Sequence, residues 1–353
     1  MSDTIKNNSE ILFIYDAKMC NPNGDPDDEN KPRMDYDRNQ NIVSDVRLKR
    51  YLRDYISNHE DSERNKIFVT KIEYASVNAK KSLANILGIK DTGSIKLTKD
   101  QEEKFLKTAI DVRMFGSIIP DVKFSNESNA TYTGPIQFNW GYSLNKVTQP
   151  FDSSGITSHF QTGKSDEVTE GSKSAGAMGK DYRVAYSIIA FHGIVNAKRA
   201  EMTYLSTTDL ELFDRAMVRC IPLEATSRSK EGQEPLLYIR VEYNSNDYFI
   251  GDLRKYLKLA DISGKEIPFE NSEKLDRGKY QIDLSVLVKK LTERQDNILK
   301  IHYWKSDDIG IIGWNINEEN DKKKLTYKND DQKNTDIEVK YVNLKKENEK
   351  KNG

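Results

Sequence analysis

Cysteine is almost absent from this sequence: Cys20 and Cys220 stand far apart, with no CxxC pair and no matched histidines. That excludes a disulfide framework and a thiolate zinc site, and it fits a reduced, cytoplasmic compartment. Only four histidines occur. None accompanies a nucleophile motif, so His192 reads as a packed or hydrogen-bonded strand residue. Long hydrophobic runs are also lacking. No stretch approaches the length of a membrane span, and the polar start from Ser2 to Glu10 has no signal-peptide core. An excess of either charge is missing as well, because 55 Lys and Arg face 56 Asp and Glu for a net charge of −1. Any nucleic-acid surface must therefore come from local segregation of charge. No cofactor fingerprint stands out. The Gly-rich portion 171–180 ends in Lys180-Asp181, where a phosphate loop requires Ser or Thr after the lysine.

What is present is organised around residues 11–56. Ile11–Tyr15 is a continuous apolar run closed by the turn signals of Asn21–Pro26 (NPNGDP), the pattern of a strand buried on both faces. After a long polar loop, Ser44 and Asp45 open a helix, Ser44 as its cap and Asp45 at the positive end of its dipole. At about 100° per residue, Leu48, Tyr51, Leu52, Tyr55 and Ile56 share one face. Arg47, Lys49, Arg50 and Arg53 share the other, which reads either as a solvated helix face or as a basic stripe that binds. Its position after a buried strand and an overlong loop favours binding.

Further on, residues 66–75 have strand composition. Helices are predicted over 77–87, ended by Gly88, and over 98–115, ended by Gly116. Residues 132–144 read as a strand bent at Gly134-Pro135. From Thr148 to Asp181 the chain is poor in apolar residues and rich in Gly, Ser and Thr, a functional or disordered segment. Residues 183–196 are a long strand, and Thr208 with Glu211 fits a capping box opening an amphipathic helix. Strands at 236–243 and 299–304 and a helix at 284–291 follow. We expect residues 1–10 to be disordered, the body to span 11–317, and 318–353 to form a charged, solvated tail apart from a strand near 337–344. The alternation of helices and strands without repeated units points to an α+β fold.

Two constellations suggest chemistry. Asp16, Asp25, Asp27, Asp28, Asp35 and Asp37 crowd one loop, where they either cap turns or gather Mg²⁺ for phosphodiester cleavage. Turn capping is the simpler reading, since the EF-hand spacing fails. The basic residues are the better candidates: Lys49, Arg50 and Arg53 are spaced for successive phosphates, and Arg113 beside Phe115 pairs a cation with an aromatic.

Taken in order, NPNGDP at Asn21–Pro26, VSDVRLKRYLRDYI at Val43–Ile56, DVRMFG at Asp111–Gly116, GPIQ at Gly134–Gln137 and AMGKDYRVAYSIIAFHGIV at Ala177–Val195 resemble the Cas7 backbone subunits of CRISPR Cascade effectors, in their type I-B or type I-C branch. The resemblance spans about residues 11–200. It implies an RRM-like (ferredoxin-like) palm, a helical finger inserted at about 77–130 and a long β-hairpin thumb at about 148–181. It also implies a non-enzymatic subunit that holds crRNA by its backbone, polymerises with further copies of itself and with other Cascade subunits, and presents the guide to a target DNA strand. By motif, Ser44, Arg47, Lys49, Arg50 and Arg53 are expected to bind the RNA backbone and Arg113 to lie near it, with Met178 or Lys180 in the thumb beside a displaced nucleotide. No metal or cofactor is implied. Two rival classes remain at this point, a metal-dependent ribonuclease using Asp35 or Asp37 and a general single-strand-binding protein.

Overall fold

The apolar run Ile11–Tyr15 lies within a strand, Ser9–Cys20, whose first nine residues are all buried. A computed structural model of the chain shows why, describing residues 4–72, 75–76, 78–90, 93, 95–124, 129–148, 151–152, 156–157, 178–225, 227–319, 322–328 and 334–344. The strand runs through the middle of a large sheet, antiparallel to Tyr182–Val195 on one side and to Gln233–Tyr243 on the other. The path continues outward from Tyr182–Val195 through Gly141–Ser143, Gln40–Val43 and Met34–Asp35, and from Gln233–Tyr243 through Ile298–Lys305 to the strands near the C-terminal end. The fold is mixed helix and sheet.

Each face of this sheet has its own cover. Alternate residues Ile11, Phe13 and Tyr15 pack with α1 (Asp45–His59) and, later in the chain, with a long helix at Thr207–Glu224. The intervening Leu12 and Ile14 pack on the opposite side with Leu253, Ile282, Leu287 and Val288. Period-two side-chain alternation thus feeds two cores, which is why the strand reads as continuously apolar. The predicted face of α1 is the buried one: Leu48, Tyr51, Leu52, Tyr55 and Ile56 go into the core, each worth roughly 1.5–3 kcal/mol of transfer free energy.

A third core belongs to the segment between α1 and residue 133. There α2 (Ala79–Leu87) and α3 (Lys99–Thr108) close over a three-stranded sheet that includes Gly116–Lys123 and Asn129–Thr133, burying Phe68, Leu83, Leu97, Phe105, Ile119 and Val122. Gly88 ends α2, as predicted, and does so in the left-handed conformation. The helix predicted over 98–115 is two helices, because Ala109 leaves helical geometry to bridge Lys66 before α4 (Ile110–Phe115) begins. At the end of α4, Gly116 (φ +76°) faces Gly134 so closely that a Cβ on Gly134 would lie 2.1 Å from the Phe115 carbonyl carbon. The crowding explains the bend in residues 132–144: Asn129–Thr133, Ile136–Phe138 and Gly141–Ser143 are separate short strands.

After the short helix α5 (Ala197–Thr203), α6 (Thr207–Glu224) opens on a capping box made by Ser206 and Asp209, two residues before the predicted Thr208 and Glu211. Both pairs fit the motif, but Asp209 is also the partner of Arg113, and that contact selects the register. Past α7 (Ser285–Glu293), the C-terminal expectation needs correcting. Lys322–Lys328 and Asn334–Tyr341 extend the main sheet, the latter parallel to Ile298–Lys305, with Leu325, Ile337 and Val339 buried. Alternating charges on the solvent side hid a regular apolar face. The N-terminal expectation is corrected similarly, since Ile5 is buried and its N–H donates to the Leu205 carbonyl. At the start of Tyr182–Val195, Phe151–Asp152 pairs with Tyr182–Arg183, and Ile156–Thr157 pairs with Met178–Gly179 in a separate two-stranded sheet. Most of the predicted thumb between these pairs lies outside the described residues.

Candidate nucleic-acid interface

The NPNGDP loop and the start of α1 are one structural unit. Asn23 Oδ1 accepts from both the backbone N–H and the hydroxyl of Ser44, at 2.8 and 2.9 Å, and Ser44 Oγ in turn accepts from the Arg47 N–H. The loop therefore sets where the cationic helix begins. Gly24 suits the tight closure of the loop, because a Cβ there would crowd the Asn30 side chain and come within 2.9 Å of the Asn30 carbonyl oxygen. Asn21 donates to the Asn30 carbonyl and holds the far side of the same turn.

On the polar face of α1 the four cations differ. Lys49 meets Asp45 at 2.9 Å and Gln137 at 3.2 Å, with its side chain only 11% exposed. Arg53 binds Asp111, which is fully buried, and lies over the Phe115 ring. Asp111 also accepts the N–H groups of Phe68 and Val69, so Arg53 joins α1 to the second unit of the fold. Arg50 pairs with Asp54, and both side chains are partly open to solvent, at 43% and 31%. An exposed (i, i+4) pair contributes only about 0.3–0.5 kcal/mol, so a phosphate displaces it readily. Arg47 lies 3.9 Å from the centre of the Tyr51 ring and, among the described residues, meets no carboxylate. The uniform stripe expected from the sequence thus separates into two anchors, Lys49 and Arg53, and two available cations, Arg47 and Arg50.

Arg113 requires the firmest correction. Its side chain is 1% exposed. Its guanidinium donates to both oxygens of Asp209 and to the carbonyls of Leu106, Lys107 and Arg64. A saturated, buried guanidinium contacts no strand of RNA. Phe115 is likewise core. Met178 pairs through its backbone with Thr157, and its side chain lies outside the described residues. Lys180 is exposed and bound to Glu29 at 2.7 Å, and Glu29 also accepts from the Tyr182 hydroxyl. The hydrogen bond from Lys180 holds the Glu29 carboxyl below its ordinary value. These contacts tie the base of the 151–183 pairing to the Asp-rich loop.

Four of these aspartates, Asp16, Asp25, Asp28 and Asp35, have partners for their carboxylates. Asp25 binds Arg33 and the Asp27 N–H, and Asp28 binds Lys31. Asp35 binds Arg38 and caps the N–H groups of Asp37 and Arg38, which lowers its pKa through the Arg38 hydrogen bond first. Asp16 is buried under Arg277 and the Tyr186 hydroxyl. Among the described residues, no group of three or more His, Cys, Asp or Glu side chains converges. His192 is a packed strand residue, as predicted. Burial lowers its pKa, and its Nδ1 accepts from the Leu253 N–H.

Sequence reasoning missed a further group at the same loop. Lys230, on the turn between α6 and the Gln233–Tyr243 strand, donates to the Asn21 carbonyl at 2.6 Å. Arg33 stacks over the exposed Trp140 ring at 6.0 Å. Trp140 carried a signal in the sequence, an aromatic beside Gly141 in a bent strand. Lys230 carried none, since 209 residues separate it from Asn21.

With this geometry in view, the relatives are informative. The family model described as CRISPR-associated protein Cas7 matches residues 7–285. A protein of Haloferax volcanii described as CRISPR-associated protein Cas7 is 38% identical over 313 residues, which cover 85% of this chain and 87% of that one. A chain of a solved "CRISPR RNA-guided surveillance complex" overlays with a TM-score of 0.49 at 16% identity, covering 85% of this chain and 90% of that one. A chain of a "CRISPR RNA-guided surveillance complex, pre-nicking" overlays with a TM-score of 0.45 at 13% identity, covering 86% and 95%.

Proposed function

This chain belongs to the CRISPR-associated Cas7 family, and from that premise we propose that it is the crRNA-binding backbone subunit of a type I Cascade complex. It grips the guide through phosphate and sugar, repeats along it as a filament with other Cascade subunits, and leaves the bases to pair with target DNA. The observation that carries this reading is the lock between Asn23 and Ser44, which fixes the family's loop against a helix that carries the half-buried Arg47 and the more open Arg50. A guide of arbitrary sequence calls for contacts of this kind, charge-assisted and blind to base identity.

An RRM-like palm is supported by the sheet order. Counting Ser9–Cys20, the bent 136–143 strand, Tyr182–Val195 and Gln233–Tyr243 as first to fourth, their spatial order is fourth, first, third, second, with α1 and α6 on one face. The other face is covered by residues 250–291, so the RNA runs along the loop and helix edge rather than across an open sheet. The finger corresponds to the unit between α1 and residue 133, which combines helices with a small sheet. The thumb corresponds to the segment rooted in the Phe151–Asp152 pairing, with Met178 or Lys180 beside the displaced nucleotide.

A non-enzymatic role is favoured over metal-dependent RNA cleavage because Asp35 already serves Arg38 and two turn N–H groups. Native purification tests the whole reading. The protein is expected to elute as a multimer with a nucleic-acid absorbance excess, and to shrink when treated with RNase. A monomer free of nucleic acid in cells that supply guides contradicts it.

A further inference from the structure

Ionisable groups in protein interiors are paired with opposite charge, because an uncompensated cation loses far more hydration than packing returns. Most buried and half-buried cations of this chain obey: Lys49, Arg53, Arg183, Arg215 and the fully buried Arg254 all have carboxylates. Among the described residues four do not: Arg219 and Lys305, which donate to the Leu344 and Ser306 carbonyls, and the neighbouring pair Arg47 and Lys230. Both are half-buried, and among the described residues neither meets Asp or Glu.

They are held together on purpose-built supports. The Gln233 side chain donates both to the Lys230 carbonyl and to the Tyr51 hydroxyl, and Arg47 lies on the Tyr51 ring. Lys230 Nζ has the Asn21 carbonyl as its partner, and the buried Arg47 Nε–H has no acceptor. The groups facing Lys230 offer no compensation either. Cys20 is a buried thiol whose pKa burial pushes up to about 12, so it stays neutral, and Asp16, which acts on Cys20, is committed to Arg277. Burial first, and the Arg47 charge second, lower Lys230 to about 8. The two like charges are thus linked through Gln233 and Tyr51 and have no carboxylate counterion among the described residues. Arg50, one turn further along α1, continues the row.

We propose that Lys230 and Arg47 jointly clasp one phosphodiester of the bound strand where the NPNG loop meets α1. This rests on the RNA-binding reading above and adds a contact from the far end of the chain. It also sets a pH dependence. A bound phosphate favours the ammonium form, so affinity falls as pH rises through about 8. The RNA-free fold responds oppositely, because the unfolded chain holds the Lys230 proton more tightly than the folded one. Its stability rises over that range.

The test titrates the full chain, stripped of nucleic acid, with fluorescent unstructured RNA at constant ionic strength between about pH 7 and about pH 9.5. The wild type is expected to lose affinity severalfold across that window. Lys230→Arg should bind with a flat profile. Lys230→Met should bind more weakly, also with a flat profile, and with a salt slope shallower by about 0.7. Its melting temperature without RNA should equal or exceed the wild-type value, a sign that a purely structural lysine would not give. Unchanged affinity and pH profile in Lys230→Met overturn the clasp while leaving the RNA-binding reading intact. Loss of self-association with RNA affinity retained would assign the pair to a carboxylate of a second copy and overturn it equally. A wild type that binds no RNA at any pH removes the reading on which the clasp stands.

Discussion

Replacing Arg113 by methionine is expected to destabilise the protein by about 3–5 kcal/mol, the usual consequence of removing one partner from a buried ion pair. Asp209 would be left with the exposed Arg64 at 3.5 Å, and three carbonyls at the junction of α3, α4 and the loop before them would lose their donor. The Ser206–Asp209 capping box of α6 would be disturbed by the same change. RNA affinity per folded molecule should stay at the wild-type value, because the guanidinium is enclosed. Chemical denaturation followed by binding at a temperature where the variant is folded separates the two effects. A stable variant with weakened RNA binding would return Arg113 to the interface.

The second large effect is expected on binding. Reversing Lys49 and Arg50 together to glutamate should weaken RNA affinity by roughly a hundredfold or more, since charge-assisted hydrogen bonds contribute roughly 1.5–3 kcal/mol each. The loss should be uniform across sequences, and the salt slope should flatten by about 0.7 for each phosphate contact removed. The two positions should not contribute equally. Arg50 gives up only an exposed pair to reach a phosphate, so Arg50→Glu alone should carry most of the loss. Lys49 is held by Asp45 and Gln137, so Lys49→Glu should lower the melting temperature more than the affinity. Fluorescence titrations with several RNA sequences at two salt concentrations check this. Unchanged binding in the double variant would place the guide elsewhere on the surface.

What could be read from the sequence was local. The apolar run of the first strand, the two faces of α1, the Ser44 cap and the Gly88 cap all depend on residues within one or two turns, and each stands where patterning put it. What could not be read was the partner of each charge. Arg53 and Asp111 are 58 residues apart and Arg113 and Asp209 are 96 apart, so spacing alone gave both arginines to the surface. The Asp-rich loop was legible in outline, because aspartate two residues before a backbone N–H is a turn former by its own chemistry. The C-terminal strands were obscured by their charged outer faces. They become regular only when Leu325, Ile337 and Val339 are seen lying on the sheet's second core.

The claim beneath these predictions is that the folded chain grips a ribose-phosphate strand without reading it, one copy after another. The stoichiometry of binding to unstructured RNAs of increasing length, compared between unrelated sequences, tests this most directly. The result expected is stepwise addition of one protomer for each fixed increment of nucleotides, with the same steps for every sequence. A one-to-one complex at all lengths, or steps that change with sequence, would contradict it.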